Sequence, residues 1–290
     1  MATRYQTQRL RSANPAWIDD FPDAALEQLH AALPEVNVYA LIDNAFDSGL
    51  AKRLYSRFPT LQPQSLYAGR YEGPGLAEIA PSIIRIPDRA VERRAFLDIA
   101  LRETSGNPML SFLQSSVSTC DPYAHLVNQM KAVDPDGEMF LIRFADTRAL
   151  DMLLRVFDDA QRRRFLGSLQ WWYFSRDGAL QHVGTTDARA LEPTDAPYVF
   201  TRHQMARFAA LARPDGVLRL IQTNAHWFGT LVGTPSQAHA CIRSVFESFD
   251  ATEVEHDATS FRLVARALTD AGLLESQQQP VPSGVTTESS

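Results

Sequence analysis

Three stretches of the chain concentrate residue types and spacings able to do chemistry. The first is the loop Tyr67-Ala68-Gly69-Arg70-Tyr71-Glu72-Gly73-Pro74-Gly75, with three glycines and two tyrosines. Glycine permits tight turns and close backbone approach, so this loop can cradle a phosphate or a peptide. It lacks the Lys and Ser/Thr that follow a nucleotide-binding loop, and a structural turn is the favoured reading. The second is Phe140-Leu141-Ile142-Arg143-Phe144-Ala145-Asp146-Thr147-Arg148. Strand alternation groups Phe140, Ile142 and Phe144 on one face and sets Arg143 apart from them. Arg143, Asp146 and Arg148 can form an internal ion-pair network that locks a strand to a helix, which is favoured, or an anion site. The third is the aromatic run Trp171-Trp172-Tyr173-Phe174, where alternation buries one face and leaves the other as a candidate patch. A later segment, Asn224-Ala225-His226-Trp227-Phe228-Gly229, sets two aromatics between helices, where core packing and interface are equally open. Exposed aromatics are the usual anchors of protein interfaces. The candidate protein-binding residues are therefore Tyr71, Glu72, Trp171, Trp172, Trp227 and Phe228.

No catalytic constellation accompanies these stretches. The sequence holds no P-loop, dinucleotide glycine fingerprint, HExxH or GxSxG elbow. Its seven histidines never fall at the i,i+3 or i,i+4 spacing of helical metal ligands, so no metal and no cofactor is expected. Asp134 and Asp136 superficially resemble a calcium loop, but the glycine comes too early and the closing glutamate is missing; a plain turn fits better. Cys120 and Cys241 match no metal spacing and suit a reducing compartment as buried, inert thiols. A net charge of −6 argues against a dominant phosphate-binding face, hence against nucleic acid as partner. The polar N-terminus lacks a signal peptide's apolar core, and no apolar run approaches the ~20 residues of a membrane span, so the expected location is the cytoplasm.

The elements that must position these residues follow from periodicity. Residues 1–35 read as a leader and one helix, with Pro22 in its first turn and Leu26, Leu29 and Leu33 as its stripe. Val36–Ile42 is apolar on both phases, as a buried strand should be. Asp47 can cap a helix carrying Leu50, Leu54 and Phe58. Further strands are expected at Ser82–Ile86, Met109–Gln114, Met139–Ala145 and Leu169–Ser175, with helices at Thr147–Leu154 and Asp159–Phe165 and Gly167 closing the second. After a polar stretch, Arg176–Pro197, the signal is helical: Thr201–Gln204 fits a capping box, Ser236 can open a second helix, and Gly272 stops a third. The tail from Glu275 is expected to be disordered. The fold class is α/β of the α+β kind: a mixed β-sheet domain with flanking helices over 36–178, then a small helical C-terminal lobe over 198–274.

Tyr39–Phe46, Ser65–Pro74 and Leu76–Pro81 resemble the opening of the domain-of-unknown-function family DUF4123. Phe140–Arg148 is similar to that family's FRFYDPR-like segment, with Ala145 in place of the tyrosine and Thr147 in place of the proline. Trp171-Trp172 stands where the family tends to carry such a pair. The resemblance covers about residues 36–178, with several motifs in order. It implies a non-enzymatic adaptor or chaperone of type VI secretion, which binds a cognate toxic effector and promotes its loading onto the VgrG spike. It implies that the helical lobe helps choose the partner. The alternatives are a hydrolase or transferase using the Tyr67–Gly75 loop with Arg143 and Asp146, and an immunity protein that neutralises a toxin.

Overall fold

A computed structural model describes residues 3–4, 18–117, 120–185, 194–248 and 258–275. The backbone divides into two compact units, Met1–Arg213 and Pro214–Ser290. In chain order the first unit holds β1 (Thr3–Arg4), α1 (Ala25–Ala32), β2 (Tyr39–Ile42), α2 (Leu50–Arg57), β3 (Gln64–Ser65), β4 (Tyr71–Glu72), α3 (Leu76–Ile79), β5 (Ser82–Arg85) and α4 (Ala90–Thr104). It continues with β6 (Leu110–Ser115), α5 (Pro122–Val127), β7 (Lys131–Val133), β8 (Met139–Leu141), α6 (Thr147–Val156), α7 (Asp159–Leu166), β9 (Leu169–Phe174), β10 (Leu180–Gly184) and β11 (Tyr198–Val199). Helix α8 (Arg202–Thr223) crosses the division at Pro214. Beyond it lie α9 (Ala225–Phe228), β12 (Thr230–Leu231), α10 (Pro235–Glu247), α11 (Ala258–Asp270) and β13 (Leu274–Glu275).

The first unit is built on a six-stranded sheet ordered β10-β9-β6-β2-β5-β3. Its pairings are antiparallel throughout rather than mixed. The only parallel pairs among the described residues, β1 with β4 and β11 with β7, belong to small separate sheets. Alternation decides what each face of the main sheet meets. Ala40 and Ile42, Phe112, Trp172 and Phe174 pack with Leu29, Leu50, Leu54, Phe96 and Leu97 of α1, α2 and α4. Leu41, Leu113, Trp171 and Tyr173 pack on the other side with Leu150, Leu153, Phe165, Tyr198 and Phe200. Burial on both faces explains why the central strands read as unbroken apolar runs.

Several local devices match expectation. Thr201 and Gln204 exchange the two hydrogen bonds of a capping box at the start of α8. Gly167 closes α7 with φ of 52°. The Asp134 carbonyl accepts the Gly137 N–H, making the tight turn that joins β7 to β8. Other expectations are corrected. The strand expected over Met139–Ala145 stops at Leu141, because the chain turns at Arg143–Asp146 to enter α6. Thr234, not Ser236, caps α10, with Pro235 at its first position and Gln237 completing the box. Glu275 is not tail but strand, opposite Thr230; residues 276–290, expected to be disordered, lie outside the described residues. The polar stretch after Ser175 contributes β10, and β11 pairs with β7, so the first unit runs on past 178. It also takes in the opening of α8, whose Met205, Phe208 and Leu211 pack on its core. The second unit buries Val217, Leu218, Ile221, Ile242, Val264 and Leu268, with α10 packed on α11.

Trp171 is the largest of the fully buried side chains, with its ring stacked on Phe165 at 5.8 Å and edge-on to Phe144 at 6.2 Å. Its indole Nε1 is buried with no partner among the described residues, which costs part of what the ring contributes. Trp171→Ala should therefore lose about 3–5 kcal/mol of stability, from the cavity it leaves. Trp171→Phe should lose much less, because the orphaned donor disappears with the extra ring. Urea midpoints of the two variants check this; equal losses would contradict it.

Candidate functional site

The charged residues singled out in the sequence meet at one corner of the sheet. Strand β2 ends in Asp43-Asn44-Ala45-Phe46, and β8 is followed by the Arg143–Arg148 turn. Arg143 donates from Nη2 to Asp43 Oδ2 at 2.8 Å. Asp146 caps α6 by accepting the Arg148 N–H on Oδ1, and takes Nε and Nη2 of the same arginine at 3.1 and 2.9 Å. This two-pronged pair is nearly buried, with side-chain exposures of 12% and 7%. Both guanidinium groups also face the Phe46 ring, at 5.9 and 5.5 Å from its centroid. This corner thus holds two ion pairs, Arg143 with Asp43 and Arg148 with Asp146, in place of one bonded set of Arg143, Asp146 and Arg148. Its fourth charged member, Asp43, escaped sequence reasoning because it looked like an ordinary turn residue; its place directly after a strand buried on both phases was the available signal.

The same corner ties backbone to backbone. The Asp43 N–H donates to the Met109 carbonyl and the Thr147 N–H to the Pro108 carbonyl, each at 2.9 Å. Asn44 Nδ2 reaches the Ala80 carbonyl at 2.6 Å and Ser82 Oγ at 2.8 Å. The ends of β2, β5, β6 and α6 are all held here. Burial pushes the Asp43 carboxyl above the ordinary aspartate range, against the opposing pull of Arg143 and of the Ala45 N–H.

The glycine-rich loop lies in the same neighbourhood, since Tyr67 bears electrostatically on Arg143. Several of the backbone donors in it and just after it are spent locally. Ala68 donates to Ser65, Arg70 and Tyr71 to Tyr67, Leu76 to Gly73 and Glu78 to Gly75. The rings of Tyr67 and Tyr71 meet edge to face at 5.3 Å inside the core. That arrangement serves a folded turn better than an anion cradle, which would need those N–H groups free.

The aromatic candidates separate sharply by burial. Tyr71, Trp171 and Trp172 are core residues and present no side chain to a partner. For the tryptophans the reason is that apolar layers cover both faces of the sheet, Trp171 packing with Leu150, Leu153 and Phe165 and Trp172 with Leu29, Phe96 and Leu97. Trp172 is further closed off by His182, stacked on it at 4.7 Å. Glu72 is exposed, Phe228 half-buried, and Trp227 is 78% exposed on α9. A cleft of about 690 Å³ that sequence reasoning missed opens between α6, α7, β9, β10 and the start of α8, with Arg155, Arg162 and Arg207 along it. Among the described residues no group of three or more His, Cys, Asp or Glu is arranged to hold a metal, and no helix is long and apolar enough to cross a membrane. Cys120 and Cys241 are unpaired and half-buried rather than buried.

Arg143→Ala would leave the Asp43 carboxylate, 2% exposed, without its cation, while Arg143 itself is 50% exposed. The loss near neutral pH should be about 1–3 kcal/mol, below the full cost of breaking a buried pair. Removing the arginine drives the folded-state pKa of Asp43 further up. The penalty for holding Asp43 ionised is therefore present above that pKa and fades as the pH falls and the carboxyl takes its proton. Urea unfolding of wild type and variant at neutral and mildly acidic pH should show the deficit shrinking in acid; a deficit independent of pH contradicts the assignment.

The match to a family extends over the residues that build this corner, from the start of β2 through α6. Comparison with family models matches residues 38–164 to the family described as Domain of unknown function (DUF4123). No curated protein and no solved structure matches the chain. The resemblance read from the sequence motifs is thus matched by the DUF4123 family model over residues 38–164.

Proposed function

We propose that the protein is a cytoplasmic, non-enzymatic adaptor of type VI secretion, which binds a cognate toxic effector and promotes its loading onto the VgrG spike. The observation that carries this reading is the DUF4123 match at 38–164, the segment whose motifs resemble that adaptor family. The geometry supports it in two ways. The charged motif is consumed in holding the sheet together: Asp43 and Asp146 each accept an arginine, which suits a scaffold better than a general acid or base needing a free carboxylate. And the second unit displays Trp227 to solvent at 78% exposure, far beyond what a tryptophan of a closed core shows. An adaptor needs such anchors, since interface energy concentrates in a few large aromatic and arginine side chains.

On this reading Trp227, with Phe228 beside it, contributes to cargo or spike recognition, and Glu72, exposed on the first unit, is a polar contact of that unit alone. Co-expression with the product of the adjacent effector gene and with the neighbouring spike protein should give a complex that co-elutes on size exclusion. Trp227→Ala should weaken that complex by roughly tenfold or more while leaving the urea midpoint nearly unchanged, as befits an exposed anchor. An effector that keeps its toxicity when bound separates an adaptor from an immunity protein. A folded sample that captures neither partner overturns the reading.

A further inference from the structure

The arginines of the cleft in the first unit differ from those of the charged corner in how their charge is used. Arg162, on α7, donates from Nη1 to the Leu154 carbonyl at 3.1 Å. Arg207, on α8, donates from Nη2 to the Arg155 carbonyl at 2.7 Å. Both are exposed, and neither holds a carboxylate among the described residues. A guanidinium carries five N–H donors, and one bond to a neutral carbonyl leaves its charge and most of its donors unspent. Arg155 is the exception, paired with Asp151 at 3.0 Å at the cleft's side. The floor is apolar, made by Leu154, Phe157, Val183 and Leu211, and the buried Tyr173 hydroxyl faces Asp151 Oδ1 at 3.4 Å.

The cleft is lined by three arginines against two aspartates, a local excess of one positive charge in a chain whose net charge is −6. Two guanidiniums that hold no carboxylate, set against the single remaining charge of Asp159 and beside apolar lining, favour a ligand that is anionic and amphipathic together. A volume of about 690 Å³ exceeds what a lone phosphate or carboxylate fills. We propose that this cleft docks an acidic, amphipathic segment of a partner protein, with its carboxylates on Arg162 and Arg207 and an apolar side chain on Leu154, Phe157 and Leu211. Taken with the adaptor reading, on which the identity of the partner rests, the segment belongs to the effector's loading region. A positive cleft on a negative protein also selects against basic partners and steers acidic ones.

The test uses the full chain and two arms. In the first, a fluorescein-labelled peptide of alternating Glu and Leu is titrated by anisotropy against wild type, its Gln-for-Glu counterpart serving as control. Saturable binding that weakens with salt, is lost with the Gln peptide and falls roughly tenfold or more in Arg162→Glu/Arg207→Glu supports the proposal. Equal binding of the Glu and Gln peptides, or none of the Glu peptide, overturns it without relying on any variant's folding. In the second arm the effector is co-expressed with wild type and with the charge-reversed variant. Retained effector binding by the folded variant overturns the docking assignment and leaves the adaptor reading standing. Peptide binding without effector binding by wild type sinks the adaptor reading and leaves the chemistry of the cleft in place.

Discussion

The constraint on which the first unit depends is the burial of Asp43 at the end of a central strand. A carboxylate there loses its hydration, and only a cation and well-placed donors can make that tolerable. Arg143 supplies the cation and the Ala45 N–H a donor. To deliver that guanidinium, the chain after β8 must stop being a strand and turn, and the turn in turn sets Asp146 at the first position before α6. One buried charge therefore fixes the end of β2, the course of the chain after β8 and the start of a helix. Asn44 extends the same clamp to β5 through Ala80 and Ser82. Elements far apart in sequence are held by polar geometry, while the two apolar cores on either face supply the bulk of the driving force.

What the sequence made legible was mostly what period and local chemistry determine. The central strands were visible because burial on both faces leaves no polar phase in Tyr39–Ile42 or Leu169–Phe174. The capping box at Thr201–Gln204 and the Gly167 stop were visible because each depends on a few neighbouring residues. Helix α4 escaped notice because Arg93 sits on its buried face, donating to the carbonyls of Pro34 and Glu35, and Val91 on its exposed one, which blurs the stripe. Strand β10, Leu180–Gly184, escaped because an edge strand keeps one side in solvent and so reads as polar chain.

The functional residues were legible to a different degree. The charged corner could be read in part because Arg143, Asp146 and Arg148 lie close in sequence. Its key carboxylate is 100 residues away from Arg143, and no local rule links the two. The tryptophan pair misled for the converse reason. Alternation guarantees that Trp171 and Trp172 face opposite sides, but it does not say that both sides are covered; that follows only from the two apolar clusters packed on either face of the sheet. Trp227 escaped the same fate because α9 is a single short turn, too brief to bury a whole face.

Arginine shows how the same side chain can be structural in one place and available in another. At the corner, Arg143 and Arg148 each meet a carboxylate and lean on the Phe46 ring, so both the charge and the flat face are used. Around the cleft, Arg162 and Arg207 meet only carbonyls, which fix position without cancelling charge. Each such bond orders part of an exposed side chain, so an incoming carboxylate would lose less to ordering than it would with a freely rotating arginine. Composition cannot separate these two uses, because both sets are arginines on or beside helices of one acidic chain. The separation lies in which oxygen each guanidinium touches, and that is decided by tertiary structure alone.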